Sequence, residues 1–398
     1  MDEVNVKARD SRLTTVAVLQ KIFGYSIFLM LIYCFITYRE DINMLNFYRI
    51  MSYFDTDTSV SENFTGYTFE VGIDSVHSPF GGGLVVLNKD SLKIINAAGL
   101  EDLSEQLKYS SPQLMTGDKR IIAYDKGGNE ISIFGSYALL KQITEEYPVT
   151  WCNMNRQGDL LVLLSEPGYR GSVKLYSEDS KQQFQWSSSE YYIISGCINS
   201  DGETLSLLCV GGENRRTFIR TYNIHNEEPL YEIDLGDSIF YSMEYDNTNQ
   251  LSVITDSALT VYDKNGQEVS CYSYSVGSLN SFTHNSGEMP LLSLMSGSGK
   301  YKAVIISSGE ELHSFSVDEE INSLFYETGT LAALTNENAY LYETADSSLT
   351  SYSVYSAKSI TKRVDGSYLV IYSDRAEVIG KGNTSVSNDD EQAQFITE

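Results

Sequence analysis

Asn155-Arg156-Gln157-Gly158-Asp159 runs straight into Leu160-Leu161-Val162-Leu163-Leu164. The first five residues read as a tight turn, because Asn and Gly tolerate the backbone angles that reverse a chain. The next five read as a strand buried on both faces, since no polar residue interrupts them. The same unit recurs along the chain. Asn199-Ser200-Asp201-Gly202 precedes Leu205-Ser206-Leu207-Leu208, Asn285-Ser286-Gly287 precedes Leu291-Leu292-Ser293-Leu294, and Val364-Asp365-Gly366 precedes Tyr368-Leu369-Val370-Ile371.

Aligned on these turns, the chain has marks at Gly83, Gly117, Gly158, Gly202, Asn249, Gly287, Gly329 and Gly366. By subtraction the spacings are 34, 41, 44, 47, 38, 42 and 37 residues. A period of about 40 residues is the length of a four-stranded propeller blade. Four strands are legible within a unit. In the third they are 149–154, 160–164, 172–176 and 182–186; in the fifth they are 239–244, 251–254, 259–263 and 268–274. A helical turn around 100–107 is the one departure from strand patterning. The fold class is therefore all-β: a β-propeller of eight four-stranded blades. Seven blades is the alternative if the weak first or sixth unit is not a blade.

The last unit has only three strands, at 359–363, 368–373 and 376–379. The missing fourth is available at Tyr67-Thr68-Phe69-Glu70-Val71, ahead of the first unit. Pairing these two ends closes the ring and removes an exposed sheet edge. The propeller domain spans 66–381, and a polar tail follows at 382–398.

Ile22 to Tyr38 is a run of 17 residues without a formal charge. As a helix it extends roughly 26 Å, near the lower limit for crossing a bilayer. Lys7, Arg9, Arg12 and Lys21 precede it, and an acidic domain follows. The positive-inside rule then places residues 1–21 in the cytoplasm, a transmembrane helix at 22–38 in the plasma membrane, and the propeller outside. No small-residue cleavage site follows the run, so it reads as a retained anchor. Residues 39–65 form a juxtamembrane connector too apolar for a free linker.

The turn pattern, the short N-terminus, the single anchor and phrases such as Gly82-Gly83-Leu84-Val85-Val86-Leu87-Asn88-Lys89-Asp90-Ser91-Leu92-Lys93 resemble a known group. It comprises membrane-anchored, eight-bladed, quinoprotein-like propellers of unknown function from Gram-positive Firmicutes. The resemblance covers about residues 20–380 and brings no catalytic residues with it.

Chemistry is thin along the chain. Net charge is −26 over 398 residues, a field that repels nucleic acid. His77, His225, His284 and His313 fall in different units without metal-ligand spacing. Gly81-Gly82-Gly83 precedes a strand and lacks the Lys-Ser/Thr pair of a phosphate loop. Gly211-Gly212 near Arg215-Arg216 is the one compact basic spot and reads as a hairpin loop. Trp151 and Trp186 are the only tryptophans, too few for the tryptophan girdle of quinone-dependent dehydrogenases. Cys152, Cys197, Cys209 and Cys271 read as isolated core residues rather than bridges. No catalytic, cofactor-binding or metal-ligating residue is assigned, and no cofactor. The reading is an extracytoplasmic interaction or scaffold module, more a binder than an enzyme. Its expected partner is an envelope protein or cell-wall polymer. Exposed aromatics along Tyr191-Tyr192, Tyr272–Tyr274 and Tyr352–Tyr355 lend some support. An extracytoplasmic propeller enzyme acting on cell-surface glycans is the alternative.

Overall fold

Leu160–Leu164 is buried at every position. The same is true of Gly83–Leu87, Leu251–Thr255, Thr330–Leu334 and Tyr368–Ile371. A strand apolar on both faces needs a sheet packed on each side, and a ring of radial sheets supplies one. The computed structural model describes residues 21, 23–30, 66–69, 75–212, 216–226, 228–363 and 365–380.

The sequential four-stranded antiparallel sheets are blade 1 (Val76–Phe80, Gly83–Leu87, Ser91–Ile95, Glu101–Gln106) and blade 2 (Pro112–Thr116, Ile121–Asp125, Glu130–Phe134, Leu139–Thr144). Blade 3 is Val149–Met154, Leu160–Leu164, Gly171–Tyr176 and Gln182–Ser188; blade 4 is Tyr191–Ile198, Thr204–Gly211, Arg216–Asn223 and Pro229–Asp234. Blade 5 is Phe240–Tyr245, Leu251–Thr255, Ala258–Tyr262 and Glu268–Ser273; blade 6 is Leu279–Thr283, Leu291–Met295, Tyr301–Ser307 and Glu310–Val317. Blade 7 is Ser323–Glu327, Thr330–Leu334, Asn338–Glu343 and Ser348–Ser353. Blade 8 takes Ser359–Lys362, Tyr368–Ile371 and Arg375–Ile379 from the C-terminal end and Gly66–Thr68 from the N-terminal end. The first and sixth units are full blades, which fixes the count at eight.

Closure follows the sequence expectation with one trimming. Gly66, Tyr67 and Thr68 pair with Glu377, Ala376 and Arg375. Phe69 adds one more backbone bond, to Asp374, and 70–74 lie outside the described residues. Eight apolar clusters, each spanning two neighbouring blades, hold the ring. At the closure Leu84, Val86 and Ile95 of blade 1 meet Leu369, Ile371 and Ala376 of blade 8. A fully buried Leu or Ile is worth about 1.5–3 kcal/mol over its exposed state, so the interfaces carry the stability.

Two sequence expectations need correction. The helical turn at 100–107 is the outermost strand of blade 1, Glu101–Gln106. Its charged residues and lack of β-branched ones disguise a strand that faces water on one side and lies at an edge. The turn marks also differ in two units. Asn249, Gly158, Gly202, Gly287, Gly329 and Gly366 all have positive φ, but in blade 1 Gly82 takes that role and Gly83 begins the second strand. Gly117 has no positive φ; a Cβ there would meet Met154 Cε at 2.7 Å.

Side chains fix the turns. Asn155 Oδ1 accepts from the amides of Gly158 and Asp159, Asn199 Oδ1 from Thr204, and Asp246 Oδ1 from Thr248 and Gln250. These local bonds are the physical content of the repeated Asn/Asp-x-x-Gly/Asn phrase.

In the N-terminal unit, described residues 21 and 23–30 are helical, with Phe23, Tyr25, Phe28, Leu29 and Met30 exposed. Among the described residues no helix is long and apolar enough to cross a membrane. The expected span 22–38 lies in large part outside the described residues. The connector 39–65 and the tail 382–398 lie wholly outside them.

Candidate functional site

The innermost strand of each blade lines the ring axis, and these strands are not alike. In blades 3, 4, 5 and 6 the pairing of the inner strand with its neighbour skips one residue. The extra residues are Thr150, Ile194, Tyr241 and Asn280. The inner pairs of blades 7, 8, 1 and 2 run in unbroken register. A bulge leaves one residue unpaired and re-aims its side chain. Ile194 and Tyr241 are accordingly exposed, although they sit in strands otherwise given to packing. Tyr241 meets Phe282 of blade 6 with ring centroids 6.2 Å apart.

On the face that carries the turns between first and second strands, the axis opens into a cavity of about 950 Å³. Turn residues Gly82, Asp118, Arg156, Asn247 and Ser286 rim it, and Trp151, Glu244, His284, Phe325 and Glu327 line its wall. Arg156 reaches across the mouth. Its guanidinium donates to Asp118 Oδ2 of blade 2 at 2.9 and 3.1 Å and to Asn247 Oδ1 of blade 5 at 3.3 Å. A Cβ on Gly287 of blade 6 would lie 2.5 Å from Arg156 Cδ, so only glycine lets the arginine pass so close.

The wall is polar where blades 3, 4 and 5 meet. Asn153 Nδ2 donates to the Gly196 carbonyl at 3.0 Å and to Glu244 Oε1 at 2.8 Å. Glu244 Oε2 is buried with no hydrogen-bond partner among the described residues. Enclosure pushes the Glu244 carboxyl up to about 8, opposed by the Asn153 bond. His284 lies between Ser252 Oγ, 2.6 Å from Nε2, and Ser242 Oγ, 3.0 Å from Nδ1. Desolvation pushes its imidazole down to about 3. Burial also raises Glu327, against the nearby Lys362 ammonium, and Glu288 adds to the rise. Glu244 and His284 keep some surface on the lumen, whose water tempers these shifts without reversing them.

The serine–histidine set is not arranged as a nucleophile and its base. Ser252 Oγ donates to the Glu244 carbonyl at 3.0 Å, so the ring proton on Nε2 points at Ser252 and that serine is no nucleophile. A histidine held neutral to low pH is a weak base for Ser242. Among the described residues no cluster of three or more His, Cys, Asp or Glu side chains is placed to hold a metal ion.

The residues singled out in the sequence scatter. Cys152 and Cys197 occupy the inner strands of blades 3 and 4, and with Cys209 they are buried and free; Cys271 is free and exposed. His77 bonds to the Tyr372 carbonyl across the closure, His225 is in a turn, and His313 packs beside Tyr342. Gly211-Gly212 forms a hairpin, with Arg216 paired to Glu232 and lying over Phe218. Tyr192 and Tyr355 are exposed, whereas Tyr272 and Tyr274 pack on the blade 5–6 cluster. Sequence reasoning missed the lumen set of Trp151, Asn153, Glu244 and His284. Their one signal is polarity inside strands that otherwise read as inner.

A family model described as a family of unknown function (DUF5711) matches residues 61–380. Among solved structures, the fold is similar to Saccharomyces cerevisiae Sqt1, with a TM-score of 0.55 at 12% identity, covering 80% of this chain and 99% of that one. It is also similar to the C-terminal WD40 domain of Sif2, with a TM-score of 0.57 at 13% identity, covering 82% and 100%. At such identities the likeness is one of fold. No curated protein matches the sequence.

Proposed function

We propose that this chain, which belongs to the DUF5711 family of unknown function, is a membrane-anchored interaction module whose propeller receives its partner along the inner strands of blades 3–6 and the cavity beside them. The β-propeller is often a protein-interaction module. The observation that carries the reading is the bulged inner arc. It leaves Ile194 and Tyr241 exposed and free of the packing on inner strands, outside the residues that line the cavity. The uncharged run 22–38 and its basic N-terminal flank support anchorage with the propeller outside the cell, facing an envelope protein or wall polymer. Photo-crosslinking from position 241 in intact membranes tests this. A specific adduct that vanishes with the crosslinker at buried position 134 is expected, and no adduct contradicts the reading. Protease added to intact protoplasts should remove the propeller; its survival contradicts the topology.

One observation favours a second reading, an extracytoplasmic enzyme acting on cell-surface glycans. Glu244 and Glu327 share a lumen with Trp151 and Tyr326, and both carboxyls are raised. Release of reducing ends from wall polysaccharide, lost in Glu244→Gln and Glu327→Gln, would establish it.

A further inference from the structure

The lumen is acidic. Asp118, Glu244, Glu288 and Glu327 border it against Arg156 and Lys362. Both cations are already engaged: Arg156 pairs with Asp118, and Lys362 Nζ donates to Thr330 Oγ1 at 2.8 Å and to the Thr328 carbonyl at 3.4 Å. Glu288 accepts from Asn285 Nδ2 at 2.9 Å. Glu244 stands apart. It projects from the inner strand of blade 5 onto the cavity wall; among the described residues a neutral amide is its single donor, and its second oxygen is enclosed without any. A carboxylate so placed lacks the cation or multiple donors that normally accompany burial. Trp151, two residues before Asn153 on the inner strand of blade 3, also lines the cavity, and an aromatic ring is a surface on which an organic cation rests.

We propose that the axial lumen is a binding site for a primary ammonium group, which pairs with Glu244 and lies against Trp151. This rests on the reading of the propeller as a binding module and names the chemistry of what enters it. The ligand chemistry has two sources, a free polyamine or a lysine side chain of a basic partner. The rim favours entry of a single extended chain rather than a globular surface, because Arg156 bridges the opening from blade 2 to blade 5. Arg156 must swing aside, and its bonds to Asp118 and Asn247 are exposed enough to exchange with water.

Ammonium binding draws Glu244 into its ionised form, so uptake releases a proton near neutral pH. The groups facing Glu244 are the Asn153 amide from blade 3, the Cys197 thiol from blade 4 and the uncharged Ser242–His284–Ser252 set from blades 5 and 6. None carries charge at pH 7, which isolates the linkage to this carboxyl.

The test is calorimetric titration of the full-length chain with spermidine and, separately, with a tetralysine peptide and its fully acetylated form. Each is run in two buffers of different ionisation heat. Expected is saturable binding of spermidine or tetralysine, none of the acetylated peptide, and a proton released on binding. Glu244→Gln should weaken binding by at least about tenfold, equal to about 1.4 kcal/mol, and abolish the proton release. Glu327→Gln supplies a second lumen variant and should weaken binding less. Glu101→Gln, on the exposed outer strand of blade 1, removes the same charge and should leave binding unchanged. Equal weakening by Glu101→Gln and Glu244→Gln would show attraction to the acidic surface alone and overturn the proposal, as would no binding at millimolar amine. The photo-crosslinking is repeated on Glu244→Gln. Retained partner capture together with absent amine binding sinks the lumen proposal and leaves the interaction module standing.

Discussion

Blades 3–6 and blades 7, 8, 1 and 2 solve the same packing problem and differ at the axis. In both arcs the second strand is buried on each side. Leu160–Leu164 and Leu251–Thr255 in one arc match Thr330–Leu334 and Gly83–Leu87 in the other. Bulges at the outer edge do not separate the arcs, since the outermost strand is irregular in blades 1 to 6 alike. The inner bulges do, being confined to four consecutive blades. An inner strand that only packs needs no extra residue. The difference therefore marks a half-ring in which inner-strand residues, Ile194 and Tyr241 among them, stand exposed and free of the packing.

The largest effects should ignore the division. Phe218 in blade 4 and Phe134 in blade 2 are both fully buried between blades. Replacing either by Ala should lower stability by about 3–5 kcal/mol in urea unfolding. A loss confined to one arc would break the claim that they share a core. Next comes closure, which belongs to the plain arc. A Cβ at Gly66 would sit 2.4 Å from the Ala376 carbonyl oxygen. Gly66→Val should detach the N-terminal strand at a cost of roughly 1–3 kcal/mol. Hydrogen exchange should rise in Arg375–Ile379 and remain unchanged in blades 3–6.

pH sharpens the comparison, because both strongly shifted lumen groups lie in the bulged arc. The Glu244 carboxyl is held up to about 8, above its unfolded value near 4.5. The folded chain keeps that proton after the unfolded chain has lost it, so this group reduces stability as pH rises from 4.5 to 8. The His284 imidazole is held down to about 3, below 6.5. The unfolded chain gains that proton first, so stability falls as pH drops from 6.5 to 3. Between 4.5 and 6.5 the two slopes oppose one another. Melting temperature should decline from pH 6.5 to 8 in the parent chain, and Glu244→Gln should flatten that decline. An unchanged slope in the variant would refute the assignment.

The smallest effects sit at the rim and on the bulge. Arg156→Ala removes an ion pair whose partners are 41% and 53% exposed, so it should cost only about 0.2–1 kcal/mol. It should still increase acrylamide quenching of Trp151 fluorescence, measured in a Trp186→Phe background. Tyr241→Ala, at an exposed bulge position, should change stability by no more than about 0.5 kcal/mol while abolishing partner capture by a photo-crosslinker placed at the neighbouring exposed Ile239.

The ring was legible because its rules are local. Turn residues at Asn155, Asn199 and Asp246 satisfy their own neighbours, and five apolar residues in a row announce a doubly covered strand. Even closure could be read, since an incomplete last unit demands a strand from somewhere. The polar outer strand Glu101–Gln106 escaped notice because edge strands follow solvent rather than packing. The lumen escaped for another reason. Asn153, Glu244 and His284 are brought together by the ring, 40 to 131 residues apart in pairs by numbering, and nothing along the chain signals their meeting. The bulges were hidden too: one extra residue is lost among unit lengths that already vary from 34 to 47.

Hydrogen–deuterium exchange of the full-length chain with and without spermidine tests the lumen site most directly. Slower exchange confined to Val149–Met154, Phe240–Tyr245 and Leu279–Thr283 is the result this account predicts. Equal protection of the inner strands of blades 1, 2 and 8, or no protection anywhere, would contradict it.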